Sequence, residues 1–208
     1  MQKGGCLLKE DVIHSWSATW VNNLNRYAKK EGIELQKMIL GMEILLHNMP
    51  KMVLMMVVAL YLGILPQTLV TWLSFIVIRR NTGGLHAGSS ITCTIMTLLM
   101  FVAVPYALIE IQIGVGIFLL IFVIIGFGLY RYSPSDTAAR PILGKKKRAR
   151  LKKRAVATSV FILALGLLLR NEMLYGLFAA GALYTLISVL PLTYKMLGES
   201  MNNYESYE

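Results

Sequence analysis

The chain has 208 residues, of which 56% are hydrophobic and 15% charged, and it carries 21 Lys and Arg against 11 Asp and Glu, a formal net charge of +10. An average soluble domain is about a quarter charged, and a mean hydropathy of +0.59 leaves more apolar surface than one small core can hide. Composition therefore predicts a single all-α integral membrane domain, a polytopic helical bundle of five or six spans, and excludes a large soluble catalytic domain, a disordered chain and a coiled coil. Two cysteines, Cys6 and Cys93, exclude a disulfide scaffold.

Residues 1–51 hold seven basic and five acidic side chains. Val12, Ile13, Trp16, Trp20, Leu24 and Tyr27 recur at helical spacing, and after Gly32 a second stripe runs through Leu35, Met38, Ile39, Met42, Leu45 and Leu46. This segment reads as amphipathic and helical, lying in the headgroup plane or packed over the cytoplasmic face of the bundle. Its apolar positions are periodic, unlike the continuous core of a signal peptide. His14 and His47 are expected to face headgroups.

The bundle is expected over 52–194 and a cytoplasmic tail over 195–208. Residues 52–78 contain no charge over 27 positions but are interrupted by Gly63 and Pro66. They form either one kinked span or a hairpin bent near Pro66, and a cytoplasmic start to the chain favours the hairpin and six crossings. Further uncharged runs lie at 89–109, 111–130, 155–169 and 173–194, the fourth of the five short enough to borrow its flanks. Ten of the 21 basic residues fall within 131–154, with Asp136 as the only acid there. The positive-inside rule puts that loop in the cytoplasm, and counting crossings puts Arg79 and Arg80 on the same side.

Polar and reactive residues concentrate in IRRNTGGLHAGSSITC, residues 78–93. Gly83, Gly84 and Gly88 permit a tight bend, and either Ser89 or Ser90 can cap a helix. Cys93 then lies in a first turn, where unpaired N–H groups and the helix dipole favour a thiolate. On one continuous helix His86 would stand ~10 Å away. Folded back through the glycines, it can meet Cys93 as the base of a Cys/His pair, with backbone N–H groups near Thr92 and Cys93 as an oxyanion hole. Equally, such a Cys can be a small packing residue and such a His an interfacial side chain. Cys6 has no His within reach. No cluster has metal-ligand spacing, so neither metal nor cofactor is expected.

Asp136 can orient His86 as a third member, or cap the SPSDT turn or pair with Arg140 or a neighbouring Lys. The run KKKRARLKKR, 145–154, can anchor topology or attract anionic lipid or an acidic peptide, with Lys145, Lys146 and Lys147 as candidate substrate contacts. It lacks interleaved aromatics and lies between spans, so nucleic acid is not an expected partner.

RRNTGGLHAGSSITC, the later SPSDTAARPI at 133–142 and the basic run that follows resemble the accessory gene regulator B (AgrB) family of membrane cysteine endopeptidases, over nearly the whole chain. Ser135 stands where that pattern has a small residue such as Ala. The resemblance implies cleavage of an AgrD-like propeptide on the cytoplasmic side of the cell membrane. An acyl-enzyme on Cys93 follows, and cyclisation to a thiolactone or lactone autoinducing peptide for quorum sensing completes the reaction. It implies Cys93 as nucleophile, His86 as general acid/base, supporting roles for Arg79 and Gly84, and a homodimer in the lipid bilayer, although no small-xxx-small seam argues dimerisation independently. A peptide exporter, or a scaffold presenting the propeptide to another protease, is the alternative.

Overall fold

The computed structural model describes residues 4–84, 90–137 and 142–206, and its elements among these are helical. In chain order they are α1 (Gly4–Ala28), α2 (Gly32–Tyr61), α3 (Leu65–Thr82), α4 (Ser90–Leu98) continuing through a π turn (Leu99–Ala103) into α5 (Val104–Ala107), α6 (Val115–Tyr132), α7 (Lys145–Leu169), α8 (Glu172–Ile187), α9 (Pro191–Leu197) and a 3₁₀ turn (Asn203–Ser206). The chain divides into two compact units, Met1–Val57 and Val58–Glu208.

In the first unit, α1 ends where the Asn25 side chain accepts from the Lys30 N–H at 2.7 Å and donates to the Lys30 carbonyl at 2.8 Å, and Lys29 and Gly32 take positive φ. The ion pair of His14 with Glu43 joins α1 to α2, so His14 faces a carboxylate. The aromatic stripe is turned outward: Trp16, Trp20, Leu24 and Tyr27 are exposed, while Ser17 and Val21 are buried. The first unit's second helix runs unbroken from Gly32 through Pro50 to Tyr61, so the boundary expected at 51 falls inside it.

The 52–78 run does break, at Leu62–Ile64, where Gly63 has φ +69° and Pro66 sits in the first turn of α3, as its fixed φ allows. In the second unit α8 is central: it is apolar on every side and buried along most of Tyr175–Leu186. Packing against α3 requires Gly181, since a Cβ there would lie 2.8 Å from Ser74 Cβ and 3.0 Å from the Phe75 nitrogen. The polarity of α3 is inverted. Thr68, Thr71, Ser74 and Thr82 face the interior while Leu73, Ile76 and Val77 face out, and α6 likewise exposes Ile117, Leu120, Val123, Ile124 and Phe127. Small and hydroxyl side chains inside with branched aliphatics outside suit a bundle whose solvent is hydrocarbon.

By length and composition α2 and α6 are each apolar enough to cross a membrane, α8 with α9 makes a bent pair at 63°, and Ile91–Ala107 is a shorter apolar helix.

Candidate functional site at one end of the bundle

Helix direction decides which loops meet. Gly181 lies against Thr71 and Phe75, Thr185 donates to the Phe75 carbonyl at 3.4 Å, and Ser188 meets Arg79, so α3 and α8 run parallel. Phe118 stacks on Tyr175 at 4.5 Å and Gly128 lies against Leu186, so α6 runs parallel to both. The C-terminal ends of α3, α6 and α8 therefore share one end of the bundle.

At that end the glycines are pinned to the SPSD segment. Gly83 and Ser135 form a parallel bridge, with Ser135 N–H donating to the Thr82 carbonyl and Gly84 N–H to the Ser135 carbonyl, each at 2.9 Å. Gly83 has φ +65°, and a Cβ on it would overlap the Ser135 carbonyl oxygen, so glycine is demanded twice. The Ser135 hydroxyl donates to the Tyr132 carbonyl at 2.9 Å and the Val189 carbonyl at 3.2 Å. This hydroxyl ties the end of α6 to the end of α8.

Arg79 and Gly84, expected to support the site, are in mutual contact. The guanidinium donates to Ser188 Oγ, whose own proton goes to the Thr185 carbonyl at 2.7 Å. Arg79 also lies 5.9 Å from the centre of the Phe75 ring.

Cys93 lies in the first turn of α4 and is partly buried. Its carbonyl accepts from Thr97 Oγ1 at 2.8 Å. Farther along, Phe101 in the π turn packs edge-on against Phe75 at 5.2 Å and Tyr184 at 5.8 Å. Eight residues separate Phe101 from Cys93, and eight separate Phe75 from Gly83, a rise of about 12 Å each. Phe101 meets Tyr184 and Leu108 lies beside Gly176, so this helix runs antiparallel to α8 and Cys93 lies toward the end of the bundle that holds the glycine pair. An apolar groove runs along the same helix, lined by Ile95, Leu98, Leu99 and Val102 with Val58 of α2 and Leu62 in the break that follows it. His86 and Arg140 lie outside the described residues.

Asp136 is buried and richly bonded. Its Oδ1 accepts from the Asn203 N–H at 3.0 Å and from Asn203 Nδ2 at 3.5 Å, and its Oδ2 accepts from the Tyr204 N–H at 3.1 Å and the Ile142 N–H at 3.4 Å. The Tyr194 hydroxyl donates to its carbonyl at 2.9 Å. Its carboxylate thus ties the SPSD segment to Ile142 and to the C-terminal tail. Lys145, Lys146 and Lys147 open α7 and are exposed. Arg148 places its guanidinium 3.7 Å from the centre of the Tyr204 ring and donates to the Ile142 carbonyl at 3.1 Å. Ser188, Tyr194 and Asn203 escape sequence reading altogether. Each meets its partner across more than fifty residues, and none stands in a motif.

The model of the family described as accessory gene regulator B matches residues 17–190. The chain belongs to this family. An AgrB-like protein of Clostridium acetobutylicum is 38% identical over 200 residues, covering 96% of both chains. One of Listeria monocytogenes is 36% identical over 168 residues, covering 81% of this chain and 82% of its own. Accessory gene regulator protein B of Staphylococcus aureus is 33% identical over 176 residues, covering 84% and 91%. No solved structure matches. Family membership and the inside-out helices agree that this is an all-helical membrane protein.

Proposed function

We propose that this chain is a membrane-embedded cysteine endopeptidase of an agr quorum-sensing system, which cleaves an AgrD-like propeptide and closes the retained part into a ring. What supports this reading is Cys93, a half-buried thiol in the first turn of a helix that begins toward the end of the bundle where the glycine pair is bridged to Ser135.

The Cys93 sulfur adds to the scissile carbonyl and the C–N bond breaks, the leaving amine taking the proton that His86 removed from the thiol. The acyl group stays on sulfur as a thioester. A thiol or hydroxyl within the same peptide then attacks that carbonyl, passing its proton through His86, and Cys93 leaves. An intramolecular nucleophile outcompetes water because its effective molarity is large. Exclusion of water by the surrounding bilayer slows hydrolysis further.

The cytoplasmic side is favoured by charge. The basic run opening α7 sits beside Tyr204 and Asp136, at the same end as Arg79, and both carry the positive-inside signal. The exposed Lys145, Lys146 and Lys147 suit an acidic stretch of the propeptide.

Co-expression with the propeptide tests the reading. Cys93→Ser and His86→Ala are expected to abolish both cleavage and the trapped thioester, and Cys6→Ser to leave them intact. Normal processing in the first two variants would replace the enzyme with an exporter or a scaffold.

A further inference from the structure

The expected cytoplasmic tail is docked. After α9 the chain turns at Gly198 and Asn202, both in positive φ, and closes on itself where Asn203 Nδ2 donates to the Ser200 carbonyl at 2.8 Å. Its backbone then delivers two N–H groups to the two oxygens of Asp136, at 3.0 Å and 3.1 Å. Asp136 is 4% exposed, so those N–H groups replace water that its carboxylate cannot otherwise recruit. Tyr204 is held from the other side by Arg148 at 3.7 Å.

What Asp136 adjoins gives this docking a consequence. Its neighbour Ser135 carries both hydrogen bonds that pin Thr82 and Gly84, and the Ile142 N–H ends on the same carboxylate while a Cβ on Gly83 would stand 3.3 Å from the Ile142 side chain. A carboxylate stripped of two backbone donors in a buried position must move toward water or find new partners. Either response shifts Ser135, and with it the glycine pair.

We propose that the C-terminal segment Ser200–Tyr204 is a strap that positions the reactive loop, acting through Asp136 and Ser135 on Gly83 and Gly84; its effect on turnover rests on the endopeptidase reading above. Asn203 and Tyr204 are positioning residues, acting through the Asp136 carboxylate.

The experiment compares the full chain, a chain ending at Gly198, and full-length Asn203→Pro, which removes both Asn203 donors to Asp136 without shortening the protein. Glu205→Ala, an exposed position, serves as the control. In lipid nanodiscs, the truncated chain and Asn203→Pro are expected to process the propeptide with kcat reduced about tenfold and KM within about twofold. A synthetic peptide of residues 199–208 added in trans is expected to restore at least half of the truncated chain's rate. The same peptide carrying a fluorophore should bind the truncated chain, and bind at least tenfold more weakly when Asp136→Asn or Arg148→Ala is added. Unchanged turnover in both shortened and proline variants would overturn the proposal, as would a higher rate on truncation, which would make the tail an inhibitory latch. If the full chain processes nothing, the endopeptidase reading fails, and the peptide arm alone decides the strap: binding that depends on Asp136 supports it, and absence of binding overturns it. Because Asn203→Pro keeps the chain whole, misfolding of the truncated form leaves the kinetic arm intact.

Discussion

The guanidinium of Arg79 occupies the space that a side chain on Gly84 would need. Gly84 has φ +103°, and a Cβ built there would stand 2.8 Å from the Ser188 carbonyl oxygen, 3.1 Å from Arg79 Cζ and closer still to Nη1. A missing methyl group thus lets a half-buried cation bridge the ends of α3 and α8 directly over the glycine turn.

Gly84→Ala is therefore expected to lower propeptide processing by at least about tenfold, since left-handed strain of ~1–2 kcal/mol adds to the displacement of Arg79. Gly114→Ala, where nothing lies within 4 Å, is the matched control and should process normally. Processing measured by mass spectrometry at equal membrane abundance reads the difference.

Arg79→Lys should behave as a disruptive change. An ammonium lacks the planar fork, and loss of a hydrogen bond to a charged group costs about 1.5–3 kcal/mol, or roughly ten- to a hundredfold if felt wholly in turnover. Ser188→Ala removes the same bond from its other partner. Combined, the two should cost little more than Arg79→Lys alone, and full additivity in a double-mutant cycle would show that they act separately.

Gly181→Ala should destabilise the fold without touching the site. Its Cβ would press on Ser74 and the Phe75 backbone where α3 and α8 are closest, and overpacking of this kind costs about 1–3 kcal/mol. Gly126→Ala, with open space around it, should leave the melting temperature in detergent unchanged.

Asp136→Asn separates two roles for that carboxylate. As a cap it accepts from Asn203 and Tyr204, so its amide should lower the melting temperature and expose the tail to carboxypeptidase. Tyr194→Phe, which loses the bond to the Asp136 carbonyl while keeping the carboxylate, should cost about 1 kcal/mol. Lost processing with an unchanged melting temperature and a protected tail would instead make Asp136 a partner of His86.

Much of this architecture is legible in the residues. Pro66 after Gly63 marks the break that ends α2, and the charge-free runs locate the apolar parts of the second unit's helices because hydrocarbon admits only segments that satisfy their own backbone, although α7 also takes in the basic run from Lys145. The GGLHA motif with Cys93 singles out one segment as reactive. Periodicity leaves one matter open at the N-terminal stripe: Trp16 and Trp20 recur at helical spacing, and the 3.6-residue period reports an apolar face while being silent on whether protein or lipid covers it. Arg79 and Gly84 stand out together in the sequence, but nothing there says that one fills the space beside the other.

The sequence by itself determined that this is a membrane helical bundle, which end of it is basic, and which cysteine is worth suspecting, because those properties are sums over local composition and spacing. Only the tertiary structure decided that Ser188 receives Arg79, that Ser135 pins Gly84, and that Asp136 holds the tail sixty-seven residues away. Those contacts depend on the parallel course of α3, α6 and α8, and parallel neighbours are joined by long connections whose pairing no local pattern encodes.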